Sequence, residues 1–594
     1  MPKMVFIALL GGGIFVKISV LVYLFFRGAH LLLPSNTSNP SIQSLIFKKG
    51  LFTMSDQQLV DAFNALPRKE KSPAGAGPNN WHFDVRYISL TPPSHILTLV
   101  QPKSGFFHTE RLPVGGDALE YFPETPIEAA HEVAKAVLRA FVDTLGLKTH
   151  LGDKAPAAFG PWALSTQDKD FAAAVSAEFK RIGVTARELL TVRIAADMTN
   201  KAAQRAFDGF FRQLKTTTGF GEVESLLLTT PDSIKFYPER RKKAHALVPH
   251  AGVEVDDMDV LQYAQEMSAV VPPRSQNFMD ISHLSDNLPK MIVGIRNRVL
   301  TQPEAVIRRK ADEGDAEAAF DYGLRLYVGL GCATNRALSR HYLVKAILSP
   351  TGSDECKAAA HGVLISWNVK QGEDSLRSRY LFAGAYHANE AAILCRKIAP
   401  SKDVQSSPAV LHFMFNVFER FSAQVPQLHL SCKDGVQALE ERKAQLAEED
   451  AEMDRKRTEK PNRYQCANKG CGVGANTGKM LSQCAGKCDS DRKPSYCSKA
   501  CQKEDWPHHK PFCKPGAQSS LAGAGVASSS RYSIENFSVP SGSQTRYSRP
   551  GAYQMAWPGG RDKDPVTVSS STMTPDFMKE VKTEIEQLMA SRKY

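Results

Sequence analysis

The stretch SYCSKACQKEDWPHHKPFC, Ser495 to Cys513, holds three cysteines, two histidines and a tryptophan in nineteen residues. Of the eleven cysteines in the 594-residue chain, seven fall between Cys466 and Cys513, while Cys332, Cys356, Cys395 and Cys432 are scattered. A secreted disulfide scaffold spreads paired cysteines through its folded parts. One dense cluster that also contains histidine reads instead as a metal site in a reducing compartment. In order, the candidate donors are Cys466, Cys471, Cys484, Cys488, Cys497, Cys501, His509 and Cys513. Eight thiolate and imidazole donors make two tetrahedral sites, and this donor set suits Zn2+ in closed structural sites. Cys484/Cys488, Cys497/Cys501 and His509/Cys513 are each four apart, so one helical turn or one tight loop brings both donors to the same side. Spacing alone allows sequential or interleaved sites, and His508 is a spare that can stand in for His509.

The run YCSKACQKEDWPHHKPFC resembles the MYND zinc finger through Tyr496, Cys497, Cys501, Gln502, Asp505, Trp506, His509, Lys510 and Cys513. The first half departs from the family's C-x-x-C pairs: four residues separate Cys466 from Cys471, three separate Cys484 from Cys488, and Gly472, Gly474 and Gly478 lie in a long intervening loop. The resemblance implies two interleaved Zn2+ sites, Cys466, Cys471, Cys497 and Cys501 on one ion and Cys484, Cys488, His509 and Cys513 on the other. It also implies that Gln502 and Trp506 line a shallow groove for proline-rich peptides, although Trp506 can equally serve as core packing. Seven thiolates against two Zn2+ leave three negative charges, and nine Lys or Arg against four Asp or Glu between Cys466 and Lys514 supply a positive surplus close to them. The basic character of the finger thus has a structural reason, and no element here suits a nucleic-acid groove.

The remaining chain reads as helical with a small β portion. Met4 to Phe26 is an apolar run broken by Lys17, whose burial at a helix centre costs about 2.5–3.5 kcal/mol. Residues 1–53 therefore read either as a membrane anchor with the bulk cytosolic, or as a mis-called extension ahead of a start at Met54. Residues 78–295 carry two or three strands and then helices, with Ala130, Val133, Val137, Leu138 and Phe141 on one face of the first. HEVAK at His131 begins like a zinc-protease motif, but Lys135 stands where the second histidine is needed. ERRKKAH, Glu239 to His245, reads as a solvated charge run.

Within 303–400, small residues at Ala311, Gly314, Ala316, Ala318 and Gly323, a turn at Gly329 and Gly331, and the closing Lys345 and Ala346 resemble the Sel-like repeat, a tetratricopeptide relative. Tyr322 replaces the usual leucine and Tyr327 sits one place late. The resemblance implies stacked hairpins with a concave protein-binding surface. Residues 434–460 read as an exposed charged helical arm, 466–513 as the finger, and 515–573, rich in Ser, Gly, Pro and Tyr, as a disordered tail. Residues 574–594 read as a terminal amphipathic helix with Phe577, Met578, Val581, Ile585 and Leu588 on one side.

The expected molecule is a mainly α, multidomain, non-enzymatic adaptor in cytoplasm or nucleus. It binds two Zn2+ and protein partners with proline-rich segments, and takes no small-molecule substrate. The alternatives are a MYND-associated lysine methyltransferase and nucleic-acid binding through the basic finger. The first needs an asparagine–histidine dipeptide that the chain lacks. The formal net charge of +12 is spread over the whole chain and does not by itself mark a nucleic-acid reader.

Overall fold

A computed structural model describes residues 54–71, 77–89, 93–147, 157–217, 228–236, 256–272, 288–369, 379–398, 406–476, 480–490, 492–518, 520, 553–557, 566–570 and 573–591. The apolar run at Met4 to Phe26 and the charge run at Glu239 to His245 lie outside the described residues. Among the described residues, no helix is long and apolar enough to cross a membrane. The chain divides into two compact units, Met1–Ala438 and Leu439–Tyr594.

The first unit begins with α1 (Asp56–Asn64), where Ser55 and Gln58 form a reciprocal capping box. Leu59, Val60 and Phe63 of this helix join the main core, so the fold starts ahead of residue 78, the boundary expected from the glycine- and proline-rich stretch. Three strands follow as an antiparallel meander: β1 (Asn80–Ile88), β2 (Ser94–Gln101) and β3 (Phe106–Leu112). Thr125 caps α2 (Pro126–Val142), with Pro126 where a missing N–H costs nothing. The chain continues through β4 (Ala163–Thr166), α3 (Lys169–Ile182), β5 (Arg193–Ile194) and α4 (Asp197–Thr217). The sheet order is β3-β2-β1-β4-β5, with β4 parallel to β1 and β5 parallel to β4.

Period-2 alternation sends Phe83 and Val85 of β1, with Leu97 and Leu99 of β2, into a core with Val133, Val137 and Phe141 of α2 and Phe171, Val175 and Phe179 of α3. The other face of β1 is polar yet also buried. His82 Nε2 lies 3.1 Å and Arg86 Nη2 3.4 Å from Asp84 Oδ2, and Arg86 packs over the Phe207 ring of α4 at 4.2 Å.

The helical part of the first unit runs through α5 (Asp257–Val270), α6 (Leu288–Thr301), α7 (Glu304–Asp312), α8 (Ala316–Val328), α9 (Arg336–Leu348) and α10 (Asp354–Val369). Next comes α11 (Arg379–Ile398). The small residue at Gly323 lets α8 and α9 touch: a Cβ there would lie 2.9 Å from Leu343 Cγ and 3.1 Å from the Leu343 amide nitrogen. Ser339 Oγ donates to Gly323 O at 2.7 Å across the same contact. Gly329 ends α8 in the left-handed region at φ 96°, a conformation that favours glycine.

Sequence reading separates 78–295 from 303–400, but both belong to one compact unit. Three arginines on helices α9 and α11 reach β2 and the chain between β3 and α2. Arg336 Nε donates to Glu124 Oε2 at 2.9 Å, Arg340 Nη2 to Leu119 O at 2.6 Å, and Arg379 Nη1 meets His95 Nε2 at 2.9 Å while its Nη2 donates to Pro123 O. Burial, helped by Arg379 and Arg340, holds the His95 pKa well below its ordinary value, which leaves that nitrogen free to accept.

The second unit opens inside α12 (Lys433–Glu459). Ala438, Leu439 and Arg442 of this helix are buried, so its first turns are not the exposed arm that the charge pattern suggests. The finger follows with β6 (Gly474–Ala475), β7 (Ser482–Gln483), β8 (Ser495–Tyr496) and α13 (Lys499–His509). Within the segment expected to be disordered, Tyr553–Trp557 and Val566–Ser570 form strands β9 and β10, in the sheet order β10-β9-β6. Most of that segment lies outside the described residues. Helix α14 (Pro575–Ser591) closes the chain. It buries Met578 completely but leaves Phe577 48% exposed, so the two do not share one apolar side.

The buried pair His361 and His387, on α10 and α11, generates a pH dependence. Their Nδ1 atoms are 2.9 Å apart, so one ring donates and the other accepts. Burial pushes His361 down to about 3 from an ordinary 6.5, and burial together with His361 pushes His387 down as well. An imidazole depressed in the folded state contributes stability above its unfolded pKa, and this stability is lost as pH falls from about 6.5 toward 3. His361 thereby adds a slope of about 1.4 kcal/mol per pH unit in that window, and His387 acts in the same direction. Denaturant unfolding of the first unit followed between those limits should show a shallower slope in the double variant His361→Leu, His387→Leu.

Candidate metal centre

Two short loops and one helix set the donors. Cys466 N–H donates to Val473 O at 2.9 Å, closing a loop around Cys471, which sits between Gly470 (φ 82°) and Gly472 (φ 66°). These left-handed residues turn the chain back within the widened Cys466–Cys471 spacing. Cys484 follows β7, and its N–H donates to Pro494 O at 2.9 Å ahead of the paired β8. Ser498 caps α13 by accepting from the Cys501 N–H at 3.3 Å. Tyr496 donates its hydroxyl to Asp505 Oδ2 at 2.8 Å, and both residues are buried, which pins the helix to β8. The helix then carries Cys501 near one end and His509 at the other.

The eight predicted donors come together as two groups of four, Cys466, Cys471, Cys497 and Cys501, and Cys484, Cys488, Cys513 and His509, with ligand atoms within 4.8 Å of one another in each. The grouping is interleaved, and the spare His508 is in neither: its Nδ1 lies 3.6 Å from Asp505 Oδ1. In the first group, Cys471, Cys497 and Cys501 sulfurs are 3.5, 3.6 and 3.7 Å apart. In the second, Cys484 and Cys513 sulfurs are 3.8 Å apart, Cys513 and Cys488 3.9 Å, and Cys488 Sγ and His509 Nε2 3.8 Å. A tetrahedron with Zn–S bonds of about 2.3 Å has edges of about 3.8 Å, so both donor sets fit Zn2+.

The surroundings fit as well. His509 Nδ1 lies 2.9 Å from Ser520 Oγ, a hydroxyl that can accept the Nδ1–H and leave Nε2 free for a metal. Burial lowers the His509 pKa, which favours the neutral ring that ligation requires. Gly486 donates its N–H to Cys484 Sγ at 3.3 Å, and a Cβ at that position would lie 2.2 Å from Cys513 Sγ. The glycine is therefore part of the cradle. Four sulfurs this close set their ionisation against one another: hydrogen bonds from Cys471 and Cys497 push the Cys466 thiol down, while donating to Cys466 pushes Cys471 up. A dication is what allows all four sulfurs to be thiolates together.

Gln502 is half-buried, and Trp506, one turn along α13, is 41% exposed with its ring 6.0 Å from that of His509 in an edge arrangement. His131, flagged by HEVAK, instead pairs with Glu178 at 2.8 Å, and Lys135 with Asp56 at 2.9 Å. Sequence reasoning missed Ser520 and Lys579, whose Nζ lies 3.1 Å from Cys501 Sγ. A serine in a polar tail and a lysine on a charged helix carry no distinguishing sequence signal.

The MYND finger family matches residues 466–513. No curated protein and no solved structure matches the chain. The finger, with its two Cys/His groups, accounts for two Zn2+.

Gly486→Ala should lower the zinc content of the purified full chain from two ions to one, because the added methyl displaces Cys513 and leaves the first group untouched. Elemental analysis against protein concentration reads this directly.

Proposed function

We propose that the chain is a zinc-stabilised protein–protein adaptor whose finger takes proline-rich peptides on the face of α13 that carries Gln502 and Trp506. MYND fingers are protein-interaction modules. The observation that carries the finer reading is Trp506: a large ring left 41% exposed on a module with little core of its own is available for contact. Gln502, four residues earlier, adds an amide donor and acceptor on the same side. A polyproline helix suits such a platform, since it loses little ordering entropy on binding.

In this reading the finger is not a catalyst. Four protein ligands at each ion leave no coordination position for a reacting water, so zinc serves folding. Helices α7 to α11 supply the second interaction surface, as Sel-like hairpins; the close approach at Gly323 supports that. The adaptor would act in cytoplasm or nucleus, where thiolates stay reduced.

Titration of a labelled proline-rich peptide against the full chain tests the reading. Trp506→Ala should weaken binding about 30-fold, the scale of a lost aromatic anchor, with zinc content unchanged at two ions. Equal affinity of the variant and the unmutated chain would overturn the assignment. Duplex DNA that competes, and does so with a steep loss on added salt, would favour the nucleic-acid alternative.

A further inference from the structure

The C-terminal segment is bound to the finger by three kinds of contact. The first is backbone pairing. Strand β9 runs antiparallel to β6, with Gly474 opposite Gln554 and Ala475 opposite Tyr553, and β10 pairs with β9 along its length. β6 follows closely on the Cys471 loop, and the Tyr553 hydroxyl donates to Met480 O at 3.2 Å beyond it. The second is apolar burial. Val473, Met555 and Met578 are each at most 1% exposed and form one cluster against Cys466, Cys471 and Cys497, rimmed by Trp557 and Val568. The third is charge. Lys579, adjacent to Met578 on α14, donates from Nζ to Cys501 Sγ at 3.1 Å and is steadied by Asp576 Oδ1 at 3.3 Å.

The apolar and charge contacts fall on the same four cysteines. Cys466, Cys471 and Cys497 meet the apolar cluster, and Cys501 receives the ammonium. The Cys484, Cys488, Cys513 and His509 group has no member in that cluster. With Zn2+ bound, four thiolates carry a net charge of −2, against −1 for three thiolates and a neutral imidazole. The more negative centre is the one that gains a cation.

We propose that β9, β10 and α14 act as a clasp on the four-cysteine centre: β9 and α14 pack an apolar cluster against three of its half-buried cysteines, and Lys579 offsets the charge on the fourth, so that retention of this zinc ion depends on chain far beyond the last ligand. An N–H donor withdraws charge from a thiolate, and attack at a sulfur is how a closed site begins to open. The apolar cluster narrows the approach of acid, chelator and oxidant to the other three, half-buried cysteines. Gln502 and Trp506 are outside the cluster, so the clasp is independent of the peptide-binding reading.

The test is zinc transfer from the full chain to an excess of chromogenic chelator, followed in time, with the unmutated chain first shown to carry two ions. Lys579→Met keeps the length and apolar stem of the side chain and removes the charge. It should speed release of one ion about 10-fold or more, the scale on which lost partners of metal ligands weaken a site, and leave the other unchanged. Lys579→Arg should restore slow release. Met578→Asp, which opens the apolar cluster, should speed the same phase. Replacement by Co2+ assigns the phase, because ligand-field absorption differs between coordination by four thiolates and coordination by three thiolates and an imidazole. Unchanged kinetics in both Lys579→Met and Met578→Asp, equal acceleration of both ions, or a loss confined to the histidine-containing centre would each overturn the proposal.

Discussion

Bringing sulfurs within 4 Å of one another is the constraint on which the second unit depends. Thiolates at that distance repel, and thiols at that distance compete for too few acceptors, so the loops that hold them close only around a cation. The module has little else to fold on: its own strands β6, β7 and β8 are two residues each. Its shape therefore follows from donor geometry, and the apolar contacts are added around it. The left-handed Gly470 and Gly472 and the sterically required Gly486 place backbone where side chains would keep the sulfurs apart.

The first unit solves a different problem, that of joining a sheet layer to a helical array, and aromatic contacts of Phe122 with Tyr87, Trp367 and Tyr380 run across the join. Three arginines, Arg340 and Arg379 buried and Arg336 half-buried, complete it. Arg336, Arg340 and Arg379 satisfy backbone carbonyls and Glu124, and their flat faces pack on Phe122 and Trp367, with Arg336 3.5 Å above the Trp367 ring. A guanidinium buried with partners on its edge and aromatics on its faces loses less on leaving water than an unpaired charge would. Removing one partner would strand a buried charge, which is why such a join holds two layers in one arrangement.

Much of this was legible in the amino acids. The donors announce themselves by chemistry and spacing, and the interleaving came with the family likeness, since spacing permits either pairing. Ala130, Val133, Val137, Leu138 and Phe141 marked the buried face of α2 by helical period alone. What stayed hidden has physical causes. β4 and β5 are four and two residues long, too short for alternation to register. His82, Asp84 and Arg86 alternate as a solvent-facing strand would, yet all three are buried, Arg86 against Phe207 of α4, because mutual pairing makes charged residues compatible with burial. YQMAW and VTVSS sit in polar, glycine-rich surroundings, and the first strand's partner in the finger, Gly474–Ala475, lies far back along the chain. Non-local pairing of this kind leaves no mark in a local window. Phe577 and Met578 are neighbours, and only the docking of α14 tells which one is covered.

The Tyr496–Asp505 hydrogen bond has an effect on its neighbour in sequence. Successive residues on a helix point about 100° apart, so a helix whose Asp505 is held inward cannot also turn Trp506 inward. The phenol and the carboxylate, a polar pair that adds little to the core, thereby fix the roll of the helix. An indole that would otherwise retreat from water is kept facing it. Exposure of the finger's largest apolar side chain is thus not a failure of packing but an orientation imposed from the residue beside it.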